Sequence, residues 1–238
     1  MVRRIARLLF LAVFSATLLA LAVAPASSGS PRLVEGYFNL RPDPRLCPSP
    51  VCGGVFASLL NRPLTPCPAA AASQACHAST VDWSRIDLDP QAQADFEAAA
   101  LGGRAVVRGE LSPGDVVDGF GTLGKLVVTE GWIAASSRRP RGGFFRVAPN
   151  GIVCFATPCF SLRESLLNTS FRGDVSGLDL SGAGAPQALR DAAWRELARG
   201  SILVAGRNRV VPDPGPAGHG LNLVATQFYL RVGSRPPG

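Results

Sequence analysis

The residues whose types and spacing could first suggest chemistry are the six cysteines. They are Cys47, Cys52, Cys67, Cys76, Cys154 and Cys159. Thiolates bind zinc, and Cys67, Cys76 and His77 lie close enough in sequence to suggest such a site. Structural zinc sites favour C-x2-C spacing, however, whereas an even number of cysteines in an exported chain is typical of disulfides. We therefore expect no metal and no cofactor, and disulfides at all six positions.

The two histidines, His77 and His219, are the remaining candidates for catalysis. No serine lies in a G-x-S-x-G context. Asp82 and Ser84 are near His77 in sequence, but a catalytic triad is defined by spatial geometry and not by sequence distance. The sequence therefore favours a protein without enzymatic activity and predicts no catalytic residue. A hydrolase that uses either histidine is the least favoured alternative.

The basic residues give a second candidate for binding chemistry. The formal net charge is +7, and Lys125 is the only lysine. The tightest basic run is Arg138-Arg139-Pro140-Arg141, which no aromatic residue interrupts. Nucleic-acid sites combine basic with aromatic residues, so we predict no nucleic-acid partner. We interpret the run as a solvated linker, with an anion site as the alternative.

Residues 1–26 have the features of a secretory signal peptide. The basic start contains Arg3, Arg4 and Arg7, and residues 8–23 are apolar. Ala24-Pro25-Ala26 fits the small-x-small cleavage pattern, which predicts a mature chain that starts near Ser27 with net charge +4. The alternative is an uncleaved anchor, but a span needs about 20 apolar residues. We expect export to the periplasm or beyond the cell, without a transmembrane anchor after cleavage. The abundance of Ala, Gly, Pro and Arg favours a bacterial source.

The C-x4-C spacing occurs twice, each time followed by an asparagine. Asn61 lies nine residues after Cys52, and Asn168 lies nine residues after Cys159. Further along, a shared D-x-S-x-Φ-D-L pattern aligns two pairs of aspartates. These are Asp82 with Asp174, and Asp87 with Asp179. Repetition favours a structural role for them over a pair of catalytic carboxylates.

These repeated patterns predict an internal duplication. We place the first repeat at 35–135, a linker at 136–143 and the second repeat at 144–232, with a flexible leader at 27–34 and a tail at 233–238. Of the fifteen possible disulfide maps, the repeat favours Cys47–Cys52 and Cys154–Cys159. Cys67–Cys76 then belongs to an insertion in the first repeat.

The elements that must position these residues are read from hydrophobic patterns and turn signals. Asp89-Pro90 and Pro186 predict helix starts, and Gly102 and Gly200 predict the corresponding ends. Apolar runs around them predict strands, and residues 112–124 are predicted as a loop. The predicted fold is α+β, with a small antiparallel sheet and one packed helix in each half, related by a pseudo-twofold axis. The alternative is one continuous sheet shared by both halves.

Several motifs together resemble a family of uncharacterised secreted bacterial proteins that is known only as a domain of unknown function. The motifs are Leu40-Arg41-Pro42-Asp43, Cys47-x4-Cys52-Gly53-Gly54-x-Phe56, Gly151-Ile152-x-Cys154-x3-Pro158-Cys159, Leu178-Asp179-Leu180-Ser181-Gly182-Ala183-Gly184 and Gln227-Phe228-Tyr229-Leu230-Arg231-Val232. The resemblance extends from Tyr37 to Val232, and it implies no activity. Phe160 stands where the family pattern has a proline.

The function that these features favour is an exported, non-enzymatic binding or structural module. Its partner would be an unknown protein or a component of the cell envelope, and the sequence does not define the oligomeric state. The alternative is a secreted hydrolase inhibitor that presents residues 48–51, between Cys47 and Cys52, to an enzyme cleft.

Overall fold

The computed structural model describes residues 32–68 and 70–233, which lie in one compact unit. Within this part, the chain has twelve strands and two α-helices. The predicted signal peptide, residues 27–31 of the predicted leader and residues 234–238 of the predicted tail lie outside the described residues. None of the helices in the described part is both long and apolar enough to cross a membrane.

The strands are β1 (Val34–Pro42), β2 (Val55–Leu59), β3 (Cys76–Ala78), β4 (Thr80–Asp82), β5 (Ala105–Val117), β6 (Gly121–Ala134), β7 (Gly143–Pro149), β8 (Leu162–Leu166), β9 (Arg172–Val175), β10 (Gly177–Asp179), β11 (Ile202–Val211) and β12 (Gly220–Val232). The helices are α1 (Pro90–Leu101) and α2 (Gln187–Arg199), and a short 3-10 helix spans Ser181–Ala183. The N-cap of α1 is Asp89, as its Asp-Pro pair predicts, and its side chain accepts a hydrogen bond from Ala92 N.

The predicted α+β fold class, with a separate small sheet and a packed helix in each half, is wrong. All twelve strands belong to one sheet, which is mostly antiparallel, and the two helices are short. The fold is therefore mostly β. The halves share a sheet because the last strand of the first half, β6, pairs with β12 through Ala134–Tyr229 and Trp132–Arg231.

The strand order of this sheet reads symmetrically from its two ends. It runs β3-β2-β1-β5-β6-β12-β11-β7-β8-β9, while β4 pairs with β6 and β10 pairs with β12, both in parallel. Ladder registers correspond as well. Phe38 pairs with Leu59 and Val107, and Phe145 pairs with Leu166 and Val204. We call two residues counterparts when they hold the same ladder position in the two halves.

The two faces of the sheet bury different cores. Phe38 and Leu40 of β1 face a cluster that includes Phe96 of α1, while α2 adds Ala193 and Leu197 to a second cluster. The opposite face buries a third cluster between the halves. It comprises Tyr37, Leu60, Val106, Trp132, Leu167, Leu203, Ala205 and Tyr229. This central core follows from strand alternation, because consecutive side chains point to opposite faces.

One local prediction differs from the structure. Residues 112–124 do not form a simple loop. They extend β5 and β6 into a long hairpin in which Ser112 pairs with Lys125 and Val117 with Gly121. Register shifts at Arg108/Gly109 and Pro113/Val116 mark where Gly and Pro interrupt the ladder.

Candidate functional site

The cysteines form three disulfides, which are the pairs expected from the repeat. Cys47 bonds Cys52, Cys154 bonds Cys159, and Cys67 bonds Cys76, with Cα–Cα distances of 5.3, 5.6 and 5.4 Å. These separations lie in the usual disulfide range. In the described part of the chain, no group of three or more metal-binding side chains is arranged to hold an ion.

His77 supports the first disulfide loop. Its Nε2 lies 2.8 Å from the carbonyl oxygen of Gly53 and 3.3 Å from Asp43 Oδ2. Arg45 donates to both carboxylate oxygens of Asp43, and this hydrogen bonding, more than the other nearby charges, lowers the pKa of Asp43 to about 2. The guanidinium of Arg45 also lies 5.2 Å from the centre of the Phe56 ring. His77 therefore braces a loop.

His219 lies in the turn between β11 and β12. Its Nδ1 accepts a hydrogen bond from Asp213 N and lies 3.2 Å from Asp213 Oδ1, and both side chains are largely exposed. The structure gives neither histidine a serine partner within hydrogen-bonding distance in the described residues.

The two repeated asparagines form a reciprocal clasp between the halves. Asn61 Nδ2 donates to the carbonyl oxygens of Phe144 and Leu167 at 2.8 and 3.0 Å, and its Oδ1 accepts from Phe144 N. Asn168 makes the counterpart bonds to Tyr37 and Leu60. Both asparagines have left-handed backbones, with φ values of 58° and 59°. Asparagine tolerates this conformation better than most other L-residues, which explains the choice of residue.

The repeated aspartates correspond differently from the sequence alignment. Asp82 Oδ1 accepts hydrogen bonds from the backbone and hydroxyl of Ser84, and Asp179 Oδ1 accepts the same pair from Ser181. These bonds lower the pKa of both aspartates. Both residues end a strand in the same parallel register, so Asp179 is the counterpart of Asp82. The alignment had paired Asp82 with Asp174.

The other two aspartates of the aligned set have separate surroundings. Asp174 accepts from Arg163 Nε and Asn150 Nδ2, and the Arg163 hydrogen bond is the main reason for its lowered pKa. Asp87 is exposed in the loop before α1. The structure thus places the four aspartates at separate turns and strand ends, where Asp82, Asp174 and Asp179 satisfy nearby polar groups.

The basic run lies in an ordered segment, residues 136–141, which we call the strap. Gln227 is fully buried, and its Nε2 donates to the carbonyl oxygens of Ser136 and Arg138 and to Ser136 Oγ. At the other end of the strap, Thr226 Oγ1 accepts from Arg141 N and donates to Arg141 O. The arginines of the run are exposed to solvent, as a solvated linker predicts, but these anchors tie the backbone of the run to β12.

The strap forms one wall of a groove. The groove has a volume of about 580 Å³ and lies beside the central core, between the two halves. Its charged lining residues are Arg104, Arg138 and Arg139, and its short polar ones include Asn39, Ser58 and Ser137. Tyr229 lies at its floor, where burial raises the pKa of the phenol.

A second cavity adjoins the groove across the strap. It has a volume of about 460 Å³ and is lined by Arg138, Arg139, Arg141, Gly182 and Thr226. Arg138 and Arg139 line both cavities. Arg138 is held in place because its Nη1 donates to Gly182 O at 2.9 Å.

The arginines of these cavities have no acidic partner. Within the described residues, no carboxylate lies within 4.0 Å of the guanidinium of Arg104, Arg138, Arg139 or Arg141. All four residues are exposed. The site is therefore a concave, positively charged surface. Arg138 uses one donor on Gly182 O, and none of the site's four arginines is neutralised by a carboxylate in the described residues.

Comparison with the counterpart position shows why the groove is open. Arg146, the counterpart of Asn39, donates from Nε to Ser201 Oγ at 2.9 Å. Arg231, the counterpart of Ala134, lies over the Trp132 ring and pairs with a carboxylate. At the counterpart of the groove, the space is thus occupied by the long side chains of Arg146 and Arg231. The shorter Asn39 and Ala134 leave space in front of Tyr229.

The sequence identified only part of this site. The run at residues 138–141 was recognised, but its anchors Thr226 and Gln227 lie about 90 positions later in the chain. No local pattern marks Arg104, which follows the Gly102-Gly103 end of α1. The free arginines only become a candidate site when the sheet brings these segments together.

Fold and site together define a mostly-β protein with disulfide-bonded loops and an arginine-lined groove between two corresponding halves. The family described as a domain of unknown function, DUF6748, matches residues 36–235, and the chain belongs to this family. No curated protein and no solved structure matches the chain.

Proposed function

We propose that the protein is an exported, non-enzymatic binding module of a bacterium, and that it binds an anionic ligand in the arginine-lined groove. The observation that carries this proposal is the set of four exposed arginines without acidic partners around two adjoining cavities. Guanidinium groups present planar donor pairs that match carboxylate and phosphate oxygens, so an anion is the complementary ligand.

The rigidity of the strap supports binding at this place. Gln227 and Thr226 hold the strap through four hydrogen bonds to its backbone and one to the Ser136 hydroxyl before any ligand arrives. A ligand therefore does not have to order the segment that carries Arg138, Arg139 and Arg141. Such preorganisation raises affinity by lowering the entropic cost of binding.

The proposal includes export and an origin by internal duplication. The basic and apolar start of the chain supports a signal peptide, and the three disulfides suit an oxidising compartment. The symmetric strand order and the reciprocal asparagine clasp support duplication of one strand–helix–strand unit. After duplication, the two halves would have diverged at the groove, where Ala134 and Asn39 replace the long side chains of their counterparts.

The experiment that tests this function compares binding of the mature protein, residues 27–238, to acidic and neutral polysaccharides and to anionic polymers by isothermal titration calorimetry. Arg139→Ala removes one free guanidinium from the groove. Charge-assisted hydrogen bonds contribute about 1.5–3 kcal/mol, so affinity is expected to fall by about tenfold or more. Arg172→Ala is the matched control, because Arg172 is also exposed and lies on β9, away from the groove.

A further variant separates groove binding from general attraction to a basic protein. Ala134→Arg introduces the residue that the counterpart position already holds, so the backbone is suited to it. The change adds positive charge but fills the groove. Groove binding predicts weaker binding by this variant. Non-specific electrostatic attraction predicts stronger binding by this variant, and that result refutes the proposal. Equal losses of affinity in the Arg139→Ala and Arg172→Ala variants also refute it.

A secreted hydrolase inhibitor remains the second candidate, favoured by the first disulfide loop. Residues 48–50 of this loop are exposed, Leu46 is fully exposed next to Cys47, and Asp43 lies within ion-pair distance of Arg45 and His77 beside the loop. Inhibitors commonly present such a rigid, exposed segment to an enzyme cleft. A panel of proteases and glycosidases tests this candidate. Inhibition that Leu46→Ala abolishes would support it, and no inhibition across the panel would end it.

A further inference from the structure

The strap does more than line one groove, because two of its arginines face two cavities. Arg138 and Arg139 contribute to both the groove and the second cavity, and Arg141 contributes to the second cavity alone. Arg104 contributes to the groove alone, from the segment that follows α1. The four arginines are therefore shared between two adjoining cavities, with Arg104 in the groove alone and Arg141 in the second cavity alone.

Two adjoining cavities that are both lined by arginines suit a ligand with repeated anionic groups. A single carboxylate or phosphate would engage one cavity and leave the guanidinium on the far side of the strap unpaired. A chain with at least two anionic groups can place one in each cavity, and linked binding events raise overall affinity through effective concentration. The volumes of about 580 and 460 Å³ are each large enough for a sugar-sized unit.

The neutral groups of the groove indicate what joins the anionic groups. Asn39 and Ser137 are exposed at the groove, and neither side chain has a hydrogen-bond partner among the described residues. Ser58 is half-buried there, and its hydroxyl donates to Asn39 O. Short amide and hydroxyl side chains are the groups that pair with sugar hydroxyls, since each offers both a donor and an acceptor.

Aromatic residues argue against a nucleic acid in the same place. Single-stranded nucleic acids bind through bases stacked on exposed aromatic rings. The aromatic residues that line the groove are Phe144 and Tyr229, and Tyr229 is 2% exposed. Phe144 is partly buried in the central core, where its ring lies 6.1 Å from that of Tyr229. Neither ring is presented as a platform for a base.

We propose that the ligand is an acidic polysaccharide, a chain of sugars bearing carboxylate groups, which crosses the strap with one carboxylate in the groove and another in the second cavity. This inference rests on the proposed function, because it uses the same arginines. It adds the chemical class of the ligand, the minimum of two anionic groups and the two cavities that receive them, the groove at Arg104 and the second cavity at Arg141.

The test measures the affinity of the mature protein for free glucuronate and for a uronic-acid oligomer long enough to span both cavities. The oligomer is expected to bind about tenfold or more tightly than the monomer. Arg104→Ala is expected to weaken both ligands. Arg141→Ala is expected to weaken the oligomer about tenfold and to leave the monomer unchanged, because only the oligomer reaches the second cavity. Arg172→Ala is the control for loss of charge.

The outcomes distinguish this inference from the proposed function. If monomer and oligomer bind equally, or if Arg141→Ala leaves the oligomer unaffected while Arg104→Ala weakens it, the two-cavity inference is overturned and groove binding stands. If a single-stranded DNA oligomer of the same charge binds more tightly than the uronic-acid oligomer, the ligand class is overturned. If no anionic ligand responds to Arg104→Ala, the proposed function itself falls.

Discussion

The asparagine clasp should contribute a large part of the stability of the protein, and Asn61→Ala tests this. The variant removes three side-chain hydrogen bonds, two from Nδ2 and one to Oδ1, all to backbone groups of the other half. A hydrogen bond contributes about 1 kcal/mol net, and an alanine with left-handed backbone costs about 1 kcal/mol more than glycine. The expected loss is therefore about 3–4 kcal/mol, against a typical total of about 5–15 kcal/mol.

The assay is urea unfolding of the mature protein, with thermal unfolding as a second measure. For a chain of this size the midpoint temperature is expected to fall by roughly 10 °C, since about 1 kcal/mol corresponds to about 2–4 °C. Asn61→Gly loses the same hydrogen bonds but relieves the backbone at φ 58°, so it should be about 1 kcal/mol more stable than Asn61→Ala. Asn39→Ala is the control, because Asn39 is exposed and makes no side-chain hydrogen bond to the described residues.

The reciprocal geometry gives the same reasoning a second check. Asn168→Ala should destabilise the protein by a similar amount, because Asn168 makes the counterpart bonds to Tyr37 and Leu60. A loss below about 0.5 kcal/mol for Asn61→Ala, which is within the range of ordinary surface substitutions, would refute the clasp as a stabilising contact. Equal stability of the alanine and glycine variants would refute the argument from the left-handed backbone.

Three further predictions concern buried and bonded groups. Burial raises the pKa of Glu164 above its ordinary 4.5. The stability that this carboxyl contributes in its protonated form is therefore lost as pH rises through the raised pKa. In urea titrations, Glu164→Gln should be more stable than wild type at neutral pH, and this gain should disappear below pH 4.5. Asp43, with a pKa of about 2, contributes stability that is present above its ordinary pKa of 3.8 and is lost as pH falls towards 2. Asp43→Asn should remove this part of the dependence of unfolding free energy on acid pH. An unchanged profile of unfolding free energy against pH would contradict this. Replacing Cys154 and Cys159 by serine should cost about 2 kcal/mol, because the bond closes a short loop, and a loss of 5 kcal/mol or more, at the top of the range for disulfides, would assign the loop a larger role.

The sequence predicted local features where a residue type has a local cause. Asp89 and Pro90 start α1 because the carboxylate caps a free amide and proline needs no hydrogen bond there. The cysteine spacing and its repetition led to the three disulfide pairs that the structure contains. The repeated asparagine was recognised as an anchor, although its partners, such as Phe144, lie in the other half and leave no local trace.

Long-range pairing could not be read in the same way. Whether two halves form separate sheets or share one depends on the β6–β12 edge, where Ala134 meets Tyr229 and Trp132 meets Arg231. Nothing in these short segments distinguishes an exposed edge strand from a paired one. The fold class was wrong for this reason, and the strands from 105 to 134 were underestimated because Gly and Pro at bulges resemble loop residues.

The alignment of the repeats shows the same limit at the level of single residues. A shared D-x-S-x-Φ-D-L pattern paired Asp82 with Asp174, whereas hydrogen bonds and ladder register make Asp179 the counterpart of Asp82. Residues that a sequence pattern aligns do not always hold the same position in the sheet. The groove was missed for a related reason, since its opening depends on Ala134 and Asn39 being shorter than their counterparts.

The most direct test of the arginine-lined groove is a hydrogen–deuterium exchange footprint of the mature protein with the uronic-acid oligomer. Binding at the groove predicts slower exchange in two separate segments that line it, residues 102–106 and 136–140. The disulfide loops at residues 43–54 and 151–160 should be unchanged. Protection of either loop with no change in residues 136–140 would contradict the account and move the binding surface away from the groove.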